Sequence, residues 1–182
     1  MSLIETRKPA LALVLLLISI SFAFAQSATS PDPTDTGKAV FKRANCFGCH
    51  KWHGNGGGGY GGDALSLRKT ELTRDQIVET VACGRPGTGM PFFVRGAYDT
   101  TKCFGMNRQE VGNGIPPEGG TFLRPNDIEA VADYVLAHIK GKGEPSYDEC
   151  VNFFGNTSRA CDTYKSGSQT PAGSTSIGTA SK

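Results

Sequence analysis

"NCFGCHKWHGNGGGGYGG", residues 45–62, sets Cys46 and Cys49 three positions apart, with His50 directly after the second and a run of glycines behind it. Two thiols at that spacing beside an imidazole allow a redox disulfide, a zinc site or a covalently attached haem. A redox pair stands at the start of a helix inside a βαβ pattern. This pair instead follows a short helical pattern and precedes flexible glycines. A zinc site takes four ligands at set spacings, whereas the chain has only His50, His53 and His138, and its other cysteines are far apart. The third chemistry fits the whole of "CFGCH". Cys46 and Cys49 are spaced to form thioethers with the two vinyl groups of one haem, and His50 falls within the same turn beneath the iron.

A second axial ligand supports that reading. In "GRPGTGMPFF", Met90 follows a glycine-rich turn, precedes Pro91 and lies forty residues after His50. A thioether is a soft ligand suited to haem iron, and His/Met ligation favours electron transfer at a raised potential. Met106 also follows a glycine. It lies beyond Cys103, so an additional loop would have to fold back over the haem for it to ligate. Met90 needs only a short turn after a helix and is the expected ligand.

The N-terminus agrees with this chemistry. Arg7 and Lys8 precede the apolar run "PALALVLLLISISF", which closes on Ala23, Phe24 and Ala25. Residues 1–25 read as a secretory signal peptide cleaved before Gln26, the alternative being an uncleaved anchor. No other stretch is long and apolar enough to span a bilayer. Removing the signal lowers the formal charge from +2 to +1, and no basic patch suggests a nucleic-acid partner. Export to the periplasm is therefore expected. Six cysteines in an exported chain imply an oxidising compartment.

Residues 26–34, "QSATSPDPT", read as a linker. Residues 162–182, rich in Ser, Thr, Gly and Ala, read as a disordered tail. Between them lie three helical patterns. The first runs from Asp35 to Asn45, with Val40, Phe41 and Ala44 on one face. The second is "LTRDQIVETVACG", where Thr73 and Gln76 form a capping box, Leu72 can staple against Ile77, and Gly84 ends the helix. The third is "RPNDIEAVADYVLAHIKG". Pro125 stands near its first turn, Ile128, Val131, Ala132, Val135 and Ile139 recur at helical spacing, and Gly141 stops it. No segment shows sustained strand alternation. The fold expected is mostly α, three main helices with long loops around one covalently bound haem.

Between Asp35 and Ile139 the chain resembles the class I c-type cytochromes, small soluble monohaem carriers, through "GKAVF", "CFGCH", "GMP" and "VADYV" in that order. The resemblance implies a cytochrome c-like fold over residues 35–161. It also implies that Gly37 and Phe41 of the first helix meet Tyr134 of the last. Two departures stand out. The family often carries Gly-Pro-x-Leu after the pentad, with the Pro carbonyl accepting from the proximal histidine. The nearest match here is "GDAL", with Asp63 at the Pro position; some carbonyl or carboxylate must still orient His50, and the motif does not say which. The glycines Gly54, Gly56 to Gly59, Gly61 and Gly62 are either close-approach points for the porphyrin edge or a flexible surface loop. Trp52 reads as packing and His53 as exposed. The second departure is a long insert, residues 92–123. Cys83 and Cys103 bracket Met90, and Cys150 and Cys161 bracket a later loop. Of three pairings, nearest-neighbour pairing is the simplest, and a Cys83–Cys103 bridge would restrain the loop carrying the sixth ligand.

The function expected is a periplasmic electron carrier with one covalent haem c, held by Cys46, Cys49, His50 and Met90, that performs no enzymatic chemistry. Its partners are redox proteins. The Gly-rich loop and the segment after Met90 resemble those of cytochromes that accept electrons from periplasmic quinoprotein alcohol dehydrogenases, and a terminal oxidase would serve as acceptor. Two rivals are an electron-accepting subunit of such a dehydrogenase, which copurification would reveal, and a haem enzyme with an open sixth position, which carbon monoxide binding would reveal.

Overall fold

Asp32 caps the first described helix by accepting the Thr34 backbone N–H at 2.9 Å, and Pro33 occupies the first turn of α1 (Pro33–Arg43), where its missing N–H costs nothing. In this computed structural model residues 32–59 and 62–165 are described. The signal segment 1–25 and the tail beyond 165 lie outside them. Two sequence boundaries move. The helix begins at Pro33, inside the expected linker, and Asp162 to Tyr164 belong to a 3₁₀ helix (Arg159–Tyr164) instead of the tail.

A five-residue helix, α2 (Cys46–His50), follows α1, and then a short antiparallel hairpin of β1 (Gly57–Gly59) and β2 (Gly62–Ala64). Four of the six strand residues are glycine, so the hairpin shows none of the side-chain alternation by which strands are recognised. Helix α3 (Arg74–Cys83) is capped by Thr73. Its hydroxyl accepts from the Gln76 N–H, and the Gln76 side chain accepts from the Thr73 N–H, as the sequence signature demands. The insert contributes one helical turn, α4 (Arg108–Val111), which runs into a 3₁₀ turn at Gly112–Gly114. Helix α5 (Pro125–His138) ends three residues before Gly141, with Ile139 as its C-cap.

The core is the crossing of α1 with α5, with α3 packed on α5 from another side. Val40 and Phe41 of α1 and Ala44 at its C-cap are buried, as are Ile128, Val131, Val135 and Tyr134 of α5. Gly37 sits where the two helices touch. A Cβ there would lie 2.0 Å from the Ala130 carbonyl oxygen and 2.6 Å from the Tyr134 Cβ. Only glycine permits that approach. One turn on, the Phe41 and Tyr134 rings meet with centroids 5.6 Å apart.

A further helix, α6 (Tyr147–Phe154), docks beside α1 and α2. Ser146 and Glu149 cap it with a reciprocal box, a signature present in "SYDE" that the three-helix reading passed over. Phe153 is its anchor, buried against Phe41, Phe47 and Trp52. Cys150 is bridged to Cys161, which fastens the 3₁₀ helix to α6. The insert builds a second small core from Cys83, Phe92, Ala97, Tyr98 and Cys103. Among the described residues no helix is long and apolar enough to cross a membrane.

Candidate functional site

Helix α2 presents Cys46, Cys49 and His50 on little more than one turn of backbone. It is set off from α1 by Asn45 in a left-handed conformation (φ 57°) and ended by Lys51, which also has a positive φ (63°) but an extended ψ (161°). Asparagine tolerates this better than most residues; lysine does not, so the turn after His50 is held by its surroundings. The Lys51 ammonium reaches the Gly58 carbonyl at 2.6 Å, and the Gly56 N–H donates to the His50 carbonyl at 3.0 Å. Gly56 has φ 70°, and a Cβ on it would lie 2.1 Å from the Ala64 carbonyl oxygen. The hairpin is therefore pinned against the turn that carries the imidazole.

The His50 ring is oriented by a group the sequence does not mark. Its Nδ1 lies 3.1 Å from the Leu65 carbonyl oxygen. A carbonyl only accepts, so Nδ1 carries the proton and Nε2 is left with a lone pair for a metal. Asp63, which the "GDAL" alignment put at the acceptor position, is exposed on the hairpin opposite Gly58. The better register is two residues later, "ALSL". There Leu65 supplies the carbonyl with its side chain 64% exposed, while Leu67 packs on the core. A backbone carbonyl needs no particular side chain, and so the acceptor position is not marked by residue type. Burial pulls the His50 imidazole below its ordinary pKa of 6.5, against the opposing pull of the Leu65 hydrogen bond.

Cys46 and Cys49 are free thiols, half-buried, while the other four cysteines are joined as Cys83–Cys103 and Cys150–Cys161. Burial pushes the Cys46 thiol up to about 12. A redox C-x-x-C depends on a lowered thiol pKa, so this environment opposes that chemistry. Among the described residues no three His, Cys, Asp or Glu side chains converge for a metal, which leaves a zinc site without its ligand set.

Met90 is half-buried and packs on the same main core as Cys46. Its loop is tight. Arg85 N–H donates to the Met90 carbonyl at 3.1 Å, and Met90 N–H donates to the Thr88 hydroxyl at 3.2 Å. Met106 lies elsewhere. It lines a shallow groove with Leu72, Gln76, Glu79, Thr80 and Phe104, the side of α3 away from its buried Ile77 and Val81. Cys46 and Met90 pack on the main core, and Cys49 and the tautomer-fixed His50 stand on the same short helix as Cys46, so the donor types present are two thiols, an imidazole and a thioether. This is the set that haem c requires, and the residues fit it.

Three neighbours complete the picture. Trp52 packs against Phe153, Phe154 and Tyr164. His53 is half-buried, not exposed as expected, and its Nδ1 accepts from the Asn55 N–H. Arg68 is buried. Its guanidinium donates to the carbonyls of His53 (2.9 Å) and Gly143 (2.7 Å) and makes a two-pronged pair with Glu149 (2.9 and 3.0 Å). It ties the loop after the pentad to α6, and nothing in its sequence neighbourhood announced that role.

Residues 32–103 match the family model described as cytochrome c oxidase, cbb3-type, subunit III. The match begins at the cap of α1, includes the pentad and Met90, and stops at Cys103, before α5 and α6. No curated protein and no solved structure matches the chain.

Proposed function

We infer, from the premise that this chain carries a class I c-type cytochrome domain and so is a haem-based electron carrier, that it holds one haem c. Cys46 and Cys49 would make the thioether bonds, and His50 and Met90 would be the axial ligands. The observation that carries the reading is the His50–Leu65 hydrogen bond, which turns the imidazole of a C-x-x-C-H helix into a metal-ready tautomer. Bound there, the haem would supply one-electron cycling of its iron between Fe(III) and Fe(II).

The chain's own residues do the rest. Leu65 fixes the ring and raises its basicity as a ligand. Cys46 and Cys49 would hold the group to α2, which is itself packed against α1 and the hairpin. Met90 contributes a soft sulfur, and the surrounding apolar core lowers the local dielectric; both favour the reduced state and a raised potential. Denatured protein on a gel should keep its haem stain, and exchange of both Cys46 and Cys49 for Ala should abolish it. Stain lost on denaturing the unaltered protein refutes covalent attachment.

The apolar run and cleavage pattern at the N-terminus support a periplasmic location, which fractionation of cells would test. For partners we propose a periplasmic quinoprotein alcohol dehydrogenase as donor, on the resemblance of the Gly-rich loop, and a terminal oxidase as acceptor. The match to a model described as an oxidase subunit supports the oxidase. Electron-transfer contacts are small and transient, so the expected result is alcohol-dependent haem reduction on mixing without a stable complex. Reduction by no such dehydrogenase from the same cell would exclude the donor, and stoichiometric copurification with an enzyme would favour a resident subunit over a free carrier.

A further inference from the structure

Met90 lies in an eight-residue link, residues 84–91, between the end of α3 and Phe92, and that link is attached at both ends and in the middle to the insert. At its start, Cys83 is bridged to Cys103 with Cα atoms 5.5 Å apart, both cysteines buried in the insert's own core. In its middle, the Gly87 N–H donates to the Gly114 carbonyl at 2.8 Å. At its end, the Phe92 N–H donates to the Pro117 carbonyl at 3.0 Å and the Phe92 carbonyl accepts from the Gly119 N–H at 2.9 Å, a parallel bridge centred on Glu118. One residue on, the Phe93 carbonyl accepts from the Leu123 N–H at 2.9 Å.

We propose that residues 97–119 are a positioning clamp for the Met90 loop, whose work is to keep the methionine sulfur from leaving the site. The proposal rests on the Met90 reading above. Its physical basis is local. A sulfur–iron bond is weak, so the fraction of molecules with the bond open depends on how freely the loop can swing away. Three hydrogen bonds and a disulfide from one element remove that freedom while Met90 itself makes none of them through its side chain. The clamp is also kept in a strained shape. Tyr98 and Phe104 adopt left-handed conformations (φ 67° and 54°), which bulky residues avoid. Tyr98 is held within the insert by N–H donation to the Thr101 carbonyl and by burial, and Phe104 is held from outside it by N–H donation to the Glu79 carboxylate on α3.

The test compares the two disulfides in the haem-loaded protein. Cys83→Ser with Cys103→Ser should dim the near-infrared sulfur–iron band of the oxidised form on warming well before the helical signal melts. Reduced protein should then bind carbon monoxide about tenfold more tightly, in proportion to the open fraction. Cys150→Ser with Cys161→Ser should lower the melting temperature without separating band from helix. Should the first pair fail to fold, Gly119→Val serves instead, because its Cβ would lie 2.8 Å from the Phe93 ring and wedge the clamp away from the Phe92 backbone. If band and helical signal melt together in both the first pair and Gly119→Val, the clamp is refuted while Met90 ligation stands. If the unaltered protein has no such band, the Met90 reading falls and the clamp with it.

Discussion

Met90 and Met106 share a preceding glycine but not an environment: one packs on the core that carries Cys46, the other lines a groove on the outer side of α3. Met90→Ala should therefore remove the sulfur–iron band, lower the potential and open the iron to carbon monoxide, while Met106→Ala leaves all three nearly intact. Reversed results would move the ligand to the insert. At the same scale, Gly37 is fixed by geometry. Gly37→Ala sets a methyl within van der Waals overlap of the Ala130 carbonyl and must push α1 from α5. Overpacking of this kind costs about 1–3 kcal/mol, measured as a lower urea midpoint at unchanged slope. An unchanged midpoint would mean the two helices are not in contact there.

Helix α6 has eight residues, too few to persist alone. It persists through attachments: the Phe153 anchor, the bridge to Cys161, Lys42 donating to the Phe153 carbonyl, and the Arg68–Glu149 pair. The Arg68 side chain is 4% exposed and that of Glu149 29%. Truncating the arginine leaves the carbonyls of His53 and Gly143 short of a donor as well as breaking the pair. Arg68→Met should cost about 2–4 kcal/mol and raise hydrogen exchange in residues 146–164, while exchange at the α1–α5 crossing stays slow. Uniform exchange across both regions would show that α6 is not separately held. Removing the Cys150–Cys161 bridge should cost about 2–3 kcal/mol by releasing the unfolded chain, in the same segment.

Across the whole molecule, acid should act in two stages. Burial, with Arg68 and Lys51 nearby, holds the His53 imidazole below its ordinary 6.5, against the weaker pull of Glu149 and Glu144. A depressed folded pKa means the unfolded chain binds the proton first. The His53 contribution is thus complete above about pH 6.5 and is lost as pH falls through the lower folded value. The carboxylates follow. Asp127, held by Arg43, Asp133, held by Arg74, and Asp99, held by Arg108, all lie below the usual 3.8, so their contributions persist to that pH and vanish beneath it. His53→Asn should lessen the loss of stability that begins as pH falls below about 6.5 and leave the steep loss below pH 4; an unaltered first stage would assign it to another group. What the sequence by itself determined were the parts that carry their own instructions: the C-x-x-C-H turn, whose groups need only one turn of backbone to come together, and α3 and α5, bounded by Thr73 and Gly84 and by Pro125. The Ser146–Glu149 box was equally legible, because a cap is a local bond. Only the tertiary structure decided that Leu65 orients His50, since every residue owns a carbonyl and residue type does not mark the one used. The same holds for Arg68, whose partners lie 15, 75 and 81 positions away, and for the insert, whose hold on the Met90 loop runs through backbone groups of Gly114, Pro117 and Gly119. Long-range backbone contacts leave no pattern in side-chain identity; they exist only once the chain has folded.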